Sequence, residues 1–279
     1  MIEFKKTNLD KLDDYLELYK RSFKKFEKNF EYLKWQYIKN PHGNFVGIDC
    51  YDNNTLIGQV GGIPKEFIFN NKKIKSLISI NVCVDPLYKG KGIFKKMAIR
   101  FEQIAKNLNF DLIIAIANKA ATIPWQKSIA LMKLNALDVF VGFGKLENDK
   151  VIENNYNFYS LWNKETLEWR IKNPINETFF QKIRNNQSVY SKSNFALIDA
   201  YSPMVFLEDV IDKSTIKKKI YRPIVYVGLI NDFKKTNLLF DLPEFLKPSP
   251  LNFLYKFTKS NDVLDTKKVF FTFLDFDAF

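Results

Sequence analysis

The chain has few of the residues that most often perform chemistry. One histidine, His42, and two cysteines, Cys50 and Cys83, stand among 279 residues. The cysteines fall in apolar stretches that read as strands, without metal-ligand spacing, so no metal site is expected and both read as reduced core thiols of a cytoplasmic protein. No apolar run approaches the roughly 18 to 20 residues that cross a bilayer. The opening "MIEFKKTNLDKLDDYLELYKRSF" carries acids and has no short apolar block before a cleavage site, so it is not expected to be a signal peptide. Acidic residues are in deficit: 31 against 43 basic ones, for a formal charge of +12. That balance suits anionic partners such as nucleic acid, a phosphorylated cofactor or a nucleotide-linked substrate, and it also serves plain solubility. Only "KSTIKKKIYR", Lys213 to Arg222, is a dense basic cluster.

Apolar side chains are plentiful. Hydrophobic residues make up 46% of the chain and aromatics 16%, enough to fill a packed core. Ile2 to Lys5 reads as a strand. A helix follows, capped by Thr7 or Asn8, with Leu9, Leu12, Leu16, Tyr19 and Phe23 on one face. A second helix runs through "EKNFEYLKWQYIKN" to Pro41. The segment from Asn44 to Val84 reads as an antiparallel meander of three or four strands turning at "DNN" and "NNK". Ile80 to Val84 is expected as a strand, Ile93 to Leu108 as a helix with Met97, Phe101, Ile104 and Leu108 in one stripe, and Asp111 to Ile116 as a buried parallel strand. Together these make a βαβ unit. "KAATIPWQKSIALMKL" reads as helix and "LDVFVGFGKL" as strand.

The second half contains a near-repeat. "YLKWQYIKNP" at Tyr32 to Pro41 and "TLEWRIKNP" at Thr166 to Pro174 share Leu, Trp, Ile and Lys-Asn-Pro. This points to a duplicated module. The boundary is placed to give residues 1–148 and 149–279. "FALIDAY", "RPIVYVGLI" and "NLLFDL" supply strands for the second module, and "DTKKVFFTFLDFDAF" is expected as its closing strand.

The segment with the most chemical content is "VCVDPLYKGKGIFKKMA", Val82 to Ala98. A strand entering a Gly-rich turn and then a helix exposes unpaired N–H groups at the helix start, which together with the helix dipole attract an anion. Gly90 and Gly92 accept unusual φ values, and Lys89, Lys91, Lys95 and Lys96 add positive field. A P-loop would need Ser or Thr after Gly-Lys, where Gly92 stands. The dinucleotide fingerprint would need glycine at Lys95.

In the order capped helix, meander, apolar strand, "DPLYKGKGIF", helix, buried strand and Asn118, the chain resembles the GNAT superfamily of acyl-coenzyme A-dependent N-acyltransferases. The resemblance is strongest over residues 1–146. It implies an α/β (α+β) fold, a mixed, largely antiparallel sheet flanked by helices, followed by a second, degenerate GNAT-like module. "GKGIF", the helical "W-x-x-x-x-N-P" segment and the terminal "DFDAF" look like a two-module subgroup found with bacterial surface-polysaccharide genes. The family's phosphate loop reads Q/R-x-x-G-x-G/A; Lys89 takes the Arg position, Gly90 and Gly92 match, and Phe94 replaces the last small residue.

The resemblance also implies the cofactor-binding residues. Val82, Cys83 and Val84 would offer backbone groups to a pantetheine arm. The N–H groups of Lys89, Gly90, Lys91, Gly92, Ile93 and Phe94 would hold the pyrophosphate of acetyl-CoA or another acyl-CoA. Asn118 and Ala121 match an "N-x-x-A-x-x-x-Y" motif whose tyrosine is Trp125 here, and tryptophan cannot protonate a departing thiolate. A thiol of pKa about 8.5 leaves without a dedicated acid. Asp85 and Asn81 flank the strand without an assigned role. Transfer to oxygen asks for a stronger base, usually histidine, and His42 in "NPHG" reads as a loop residue. The expected activity is therefore acetyl (or similar short acyl) transfer to an amine, on an amino sugar or nucleotide-linked sugar of surface-glycan biosynthesis. The rival readings are an aminoacyl transferase drawing on charged tRNA and a non-catalytic CoA-binding protein.

Overall fold

The computed structural model describes residues 1–23, 26–144, 146–147, 156–183, 186–192, 197–203, 206–207, 222–231, 234–236, 238–243, 246–247 and 249–276. The basic cluster at 213–221 and the last residues of "DFDAF" lie outside them. Two compact units emerge, and they alternate along the chain. The first comprises Met1–Glu66, Ile74–Asn135 and Leu251–Asp262; the second comprises Phe67–Lys73, Ala136–Pro250 and Val263–Phe279.

The sheet of the first unit begins as a meander. Strand β1 (Ile2–Lys6) pairs antiparallel with β2 (Val46–Asp52), which pairs antiparallel with β3 (Thr55–Phe69), and β4 (Lys72–Ser79) lies beside β3. Both hairpin turns are Asn-Asn, with positive φ at Asn53, Asn54, Asn70 and Asn71. Asparagine tolerates that conformation, and the turn's twist matches that of the flanking strands. After β4 come a two-residue strand, β5 (Cys83–Val84), and helix α3 (Ile93–Asn107). Strand β6 (Leu112–Ala117) then runs parallel to β4, so the βαβ unit is built on Lys72–Ser79 and not on the expected strand Ile80–Val84. The 3₁₀ turn Leu9–Lys11 is capped by the Asn8 side chain and leads into α1 (Leu12–Ser22); α2 (Phe30–Tyr37) is capped by Asn29.

Alternation along β2 divides the helices between the two faces of the sheet. Ile48 and Cys50 join a core built by Met97 and Phe101 of α3 and by Trp125 and Ile129 of α4 (Lys119–Ile129). Asp49, between them, turns to Tyr15 of α1 instead. The helix stripe stops short of Leu108, which is 54% exposed, because Ala105 takes the buried position one turn earlier. "ALMKL" leaves the helix at Ala130, which is left-handed, and becomes strand β7 (Met132–Ala136).

Between β6 and β7 runs a strand from far along the chain, Asn252–Phe257, antiparallel to β6 from Asn252↔Ala117 to Phe257↔Leu112. The sequence reading did not identify this strand; it placed the closing strand further on, at "DTKKVFFTFLDFDAF". Within that stretch the structure has a 3₁₀ turn at Thr266–Lys268, only a two-residue strand at Phe271–Thr272, and then a turn fastened by Asp275, which accepts the Thr272 N–H. The return strand inserts Leu254 into the α3–α4 core. Lys256 forms an ion pair with Glu102 of α3 at 2.8 Å and donates to the Ile129 carbonyl at 2.8 Å.

In the second unit, helix α5 (Lys164–Ile171) opens with an Asn163–Thr166 capping box. It corresponds to α2 in the near-repeat: each has eight residues and an asparagine cap. The sheet order is Thr178–Ile183, Asn186–Lys192, Asp199–Ser202, Ile224–Leu229, Asp138–Gly142, Leu239–Asp241.

Leu254→Ala should cost about 2–5 kcal/mol in urea unfolding, while Leu108→Ala stays within about 0.5 kcal/mol. Burial raises the Glu102 carboxyl, but the bonds from Lys256 and Lys106 outweigh it and hold the pKa below the ordinary 4.5. A carboxyl held low stabilises the fold above its unfolded pKa, and the contribution is lost as pH falls through the folded value. Lys256→Met should therefore flatten the acid limb of a stability-versus-pH curve below pH 4.5.

Candidate functional site

Strands β4 and β6 run in register from Ser76↔Leu112 to Ser79↔Ala115 and then part. The cause lies in the four residues after β4. Ile80 N–H donates to Gly61 O at 3.3 Å, and Asp85 N–H to Ile57 O at 2.8 Å. From Ile80 to Asp85 is five steps, from Gly61 to Ile57 four, so one residue is inserted opposite β3. This is a β-bulge, with Asn81 left-handed at φ 51°. The expected strand Ile80–Val84 is accordingly interrupted, and only Cys83 and Val84 regain pairing, with Gln59 and Gly58. Since Asp85 N–H faces β3, alternation turns the N–H and C=O of Val84 the other way, into the gap beside β6. Val82, outside the paired residues, precedes it on the same edge.

The Gly-rich loop follows directly. Asp85 accepts the Leu87 N–H at 3.0 Å and the Arg21 Nε–H at 2.9 Å, and Arg21 also donates to the Leu56 carbonyl at 2.9 Å. Asp85 is thus a buried turn anchor. Gly90 and Gly92 have φ of 77° and 72°, and a Cβ at either would meet nothing within 4 Å. These glycines are required by backbone conformation and not by crowding. Gly92 caps α3 without a side chain, and the helix's first internal bond is Lys96 N–H to Gly92 O at 3.2 Å. The N–H groups of Ile93, Phe94 and Lys95 therefore lie outside the ladder, at the positive end of the helix dipole. Lys89, Lys91 and Lys95 are exposed around them. Lys91 Nζ lies 4.6 Å from the centre of the Tyr88 ring, whose hydroxyl donates to Asp52 at 2.9 Å.

At the end of β6, the Asn118 side chain accepts the Ala121 N–H at 2.9 Å and so caps α4. Trp125 is 3% exposed, edge-on to Phe94 with ring centres 5.1 Å apart and close to Phe101. Its side chain is core. His42 lies in the turn after α2, where its N–H donates to Asn40 Oδ1 at 3.1 Å. Burial pushes the Cys83 thiol up to about 12 and the Cys50 thiol up to about 11, so neither is a thiolate nucleophile near neutral pH. Among the described residues no group of three or more His, Cys, Asp or Glu is placed to hold a metal ion.

The opposite face of β2 and β3 holds a buried polar chain that the sequence reading passed over. Asp49 and Gln59 are direct cross-strand partners, both fully buried. Asp49 accepts from Tyr15 at 2.6 Å, Thr7 at 3.0 Å and Gln59 Nε2 at 3.2 Å. Gln59 Oε1 accepts from Tyr19 and, at 3.2 Å, from Tyr37; the two phenol oxygens are 2.5 Å apart. Asn81 of the bulge closes the chain, with Nδ2 3.1 Å from the Tyr37 hydroxyl and 2.9 Å from Gln36 Oε1. Burial raises the pKa of Tyr15, Tyr19 and Tyr37, so the phenols stay neutral. One signal was legible: Asp and Gln each stand in the middle of an otherwise apolar strand, "VGIDCY" and "LIGQVGG".

Residues 3–122 match the family model described as an acetyltransferase (GNAT) domain. The match covers 120 of the chain's 279 residues, and over that stretch the chain is similar to an acetyl-transferring domain. The likeness in fold extends well beyond it. A GCN5-related N-acetyltransferase from Anabaena variabilis ATCC 29413 superposes with a TM-score of 0.59 at 10% identity, over 92% of this chain and 73% of its own. One from Kribbella flavida gives 0.59 at 10% identity, over 92% and 72%. A probable N-acyltransferase from Enterococcus faecalis V583 gives 0.55 at 9% identity, over 92% and 73%. No curated protein matches the chain.

Gly90→Ala and Gly92→Ala should each cost about 1–2 kcal/mol in urea unfolding, from the left-handed backbone alone. Gly62→Ala, whose Cβ would lie 2.6 Å from the Ile78 carbonyl oxygen, should cost more than either.

Proposed function

We propose that the protein transfers an acetyl or similar short acyl group from coenzyme A to a primary amine. The observation that carries this reading is the gap between β5 and β6, which leads straight into the open N-terminal turn of α3. Unpaired backbone groups at Val82 and Val84 fit the amides of an extended pantetheine arm, which would lie in the gap like a further strand. The N–H groups from Lys89 to Phe94 fit a pyrophosphate, and the lysines fit its charge. The two glycines keep that cradle free of side chains.

Acyl-CoA supplies an activated thioester carbonyl when bound. The chain's part is to hold that carbonyl beside a strand N–H, where developing negative charge is stabilised, and to orient the acceptor. A dedicated acid is not needed for a thiolate leaving group, in keeping with a buried Trp125. A weakly basic amine already has a neutral fraction at pH 7. The scarcity of histidine and the +12 charge favour an amine on an anionic carrier, such as a nucleotide-linked amino sugar.

Thermal unfolding with CoA should show a clear rise in melting temperature, since ligand at about 100 times its Kd adds about 2.7 kcal/mol. Radiolabelled acetyl-CoA should label UDP- or dTDP-linked amino sugars. No shift with CoA, together with salt-sensitive binding of charged tRNA, would reverse the assignment in favour of an aminoacyl transferase.

A further inference from the structure

The polar chain behind the bulge has a direction, and Asp49 sets it. A carboxylate offers only acceptors, so the Gln59 amide must turn Nε2 towards it and Oε1 away. Tyr19 donates to that Oε1. Tyr37, 2.5 Å from Tyr19 and 3.2 Å from Gln59 Oε1, must also point its only proton inward. Its lone pair then faces Asn81, which must answer with an N–H. The second Nδ2 hydrogen of Asn81 goes to Gln36 Oε1, and Gln36 Nε2 donates to Tyr32. Both hydrogens of the Asn81 amide are thereby committed, and its Oδ1 is turned away from these partners. Among the described residues no protein donor meets that oxygen. Asn81 is only half-buried, and its φ of 51° places it where β4 leaves β6.

We propose that Asn81 binds the acceptor amine, its Oδ1 taking one amine N–H, and that Asp49, Gln59 and Tyr37 are positioning residues that hold this polarity. The inference rests on the acyl-transfer reading above and adds the group that recognises the acceptor. It also selects for nitrogen. A primary amine can keep one N–H on a carboxamide oxygen while its lone pair attacks, with the surplus proton released to water. An alcohol has only the proton it must lose, and a carboxamide does not take it. The bulge thus favours amines over hydroxyl acceptors without a titrating side chain.

The test measures acetyl-CoA consumption with UDP-linked amino sugar, glucosamine and spermidine as probes, for wild type, Asn81→Ala, Asn81→Asp and Tyr37→Phe. Asn81→Ala is expected to lower kcat/KM for every accepted amine about tenfold or more, mainly through KM, roughly one hydrogen bond's worth. The KM for acetyl-CoA should stay within about twofold. Asn81→Asp is nearly isosteric, yet it sets a carboxylate oxygen against the Tyr37 lone pair and Gln36 Oε1, so it should do no better than Ala. Tyr37→Phe keeps the ring packing and releases one constraint on the amide, so it should give a smaller rise in amine KM. Wild-type activity with Asn81→Ala unchanged, with Asp restoring wild-type values, or with acetyl-CoA KM raised in parallel would overturn the inference alone. Wild type binding CoA but acylating no amine would overturn the acyl-transfer reading and this inference with it.

Discussion

The parting of two parallel strands is the constraint on which the first unit turns. Strands β4 and β6 share a ladder up to Ser79↔Ala115, and beyond it each must satisfy its backbone differently. Strand β6 keeps the return strand on its other edge from Leu112↔Phe257 to Ala117↔Asn252, while beyond Ala115 its gap-facing edge has no strand partner among the described residues. The β4 side does so through a bulge and a brief return to β3. An opened ladder costs backbone hydrogen bonds unless something replaces them, which is why such a gap suits an extended, amide-bearing ligand and little else. Helix α3 follows in the chain through the Gly-rich turn, with its first N–H groups outside the helical ladder.

The bulge also ties stability to chemistry. Burying Asp49 between β2 and β3 is expensive, and burial raises its pKa even against three hydrogen bonds. An apolar pair at Asp49 and Gln59 would pack at less cost. What the buried polar pair adds is direction, since a carboxylate dictates the orientation of each amide and phenol out to Asn81. A buried polar network whose members fix one another's donors and acceptors specifies one arrangement, and here that arrangement reaches Asn81 of the bulge.

Much of the first unit was legible in the sequence. The apolar spacing in α1 and α3, the Asn-Asn hairpins and the βαβ order are local signals, and local physics carries them. The positive φ at Gly90 and Gly92 was readable too, because glycine in a strand-to-helix turn has few other reasons to be there. Asn118 was placed at the end of β6, where it serves as the α4 cap. Trp125 was legible as an aromatic but not in its direction; only packing against Phe94 decides that it is core. The continuous strand expected at Ile80–Val84 failed because a bulge depends on the register with β3, which an apolar run does not encode.

By itself the sequence determined the class of fold and the Gly-rich turn with its free helix-start N–H groups, since these follow from periodicity, turn residues and backbone donors near one another in the chain. The tertiary structure alone decided the rest. It brought Asn252–Phe257 across more than a hundred residues to close a sheet, because β6 had an open edge that "LNFLYKF" could cover. It also joined Asp49, Gln59, Tyr37 and Asn81, four residues on four separate elements, into one directed chain. Hydrogen-bond direction passes through space and not along the backbone, so no spacing in the sequence could show it.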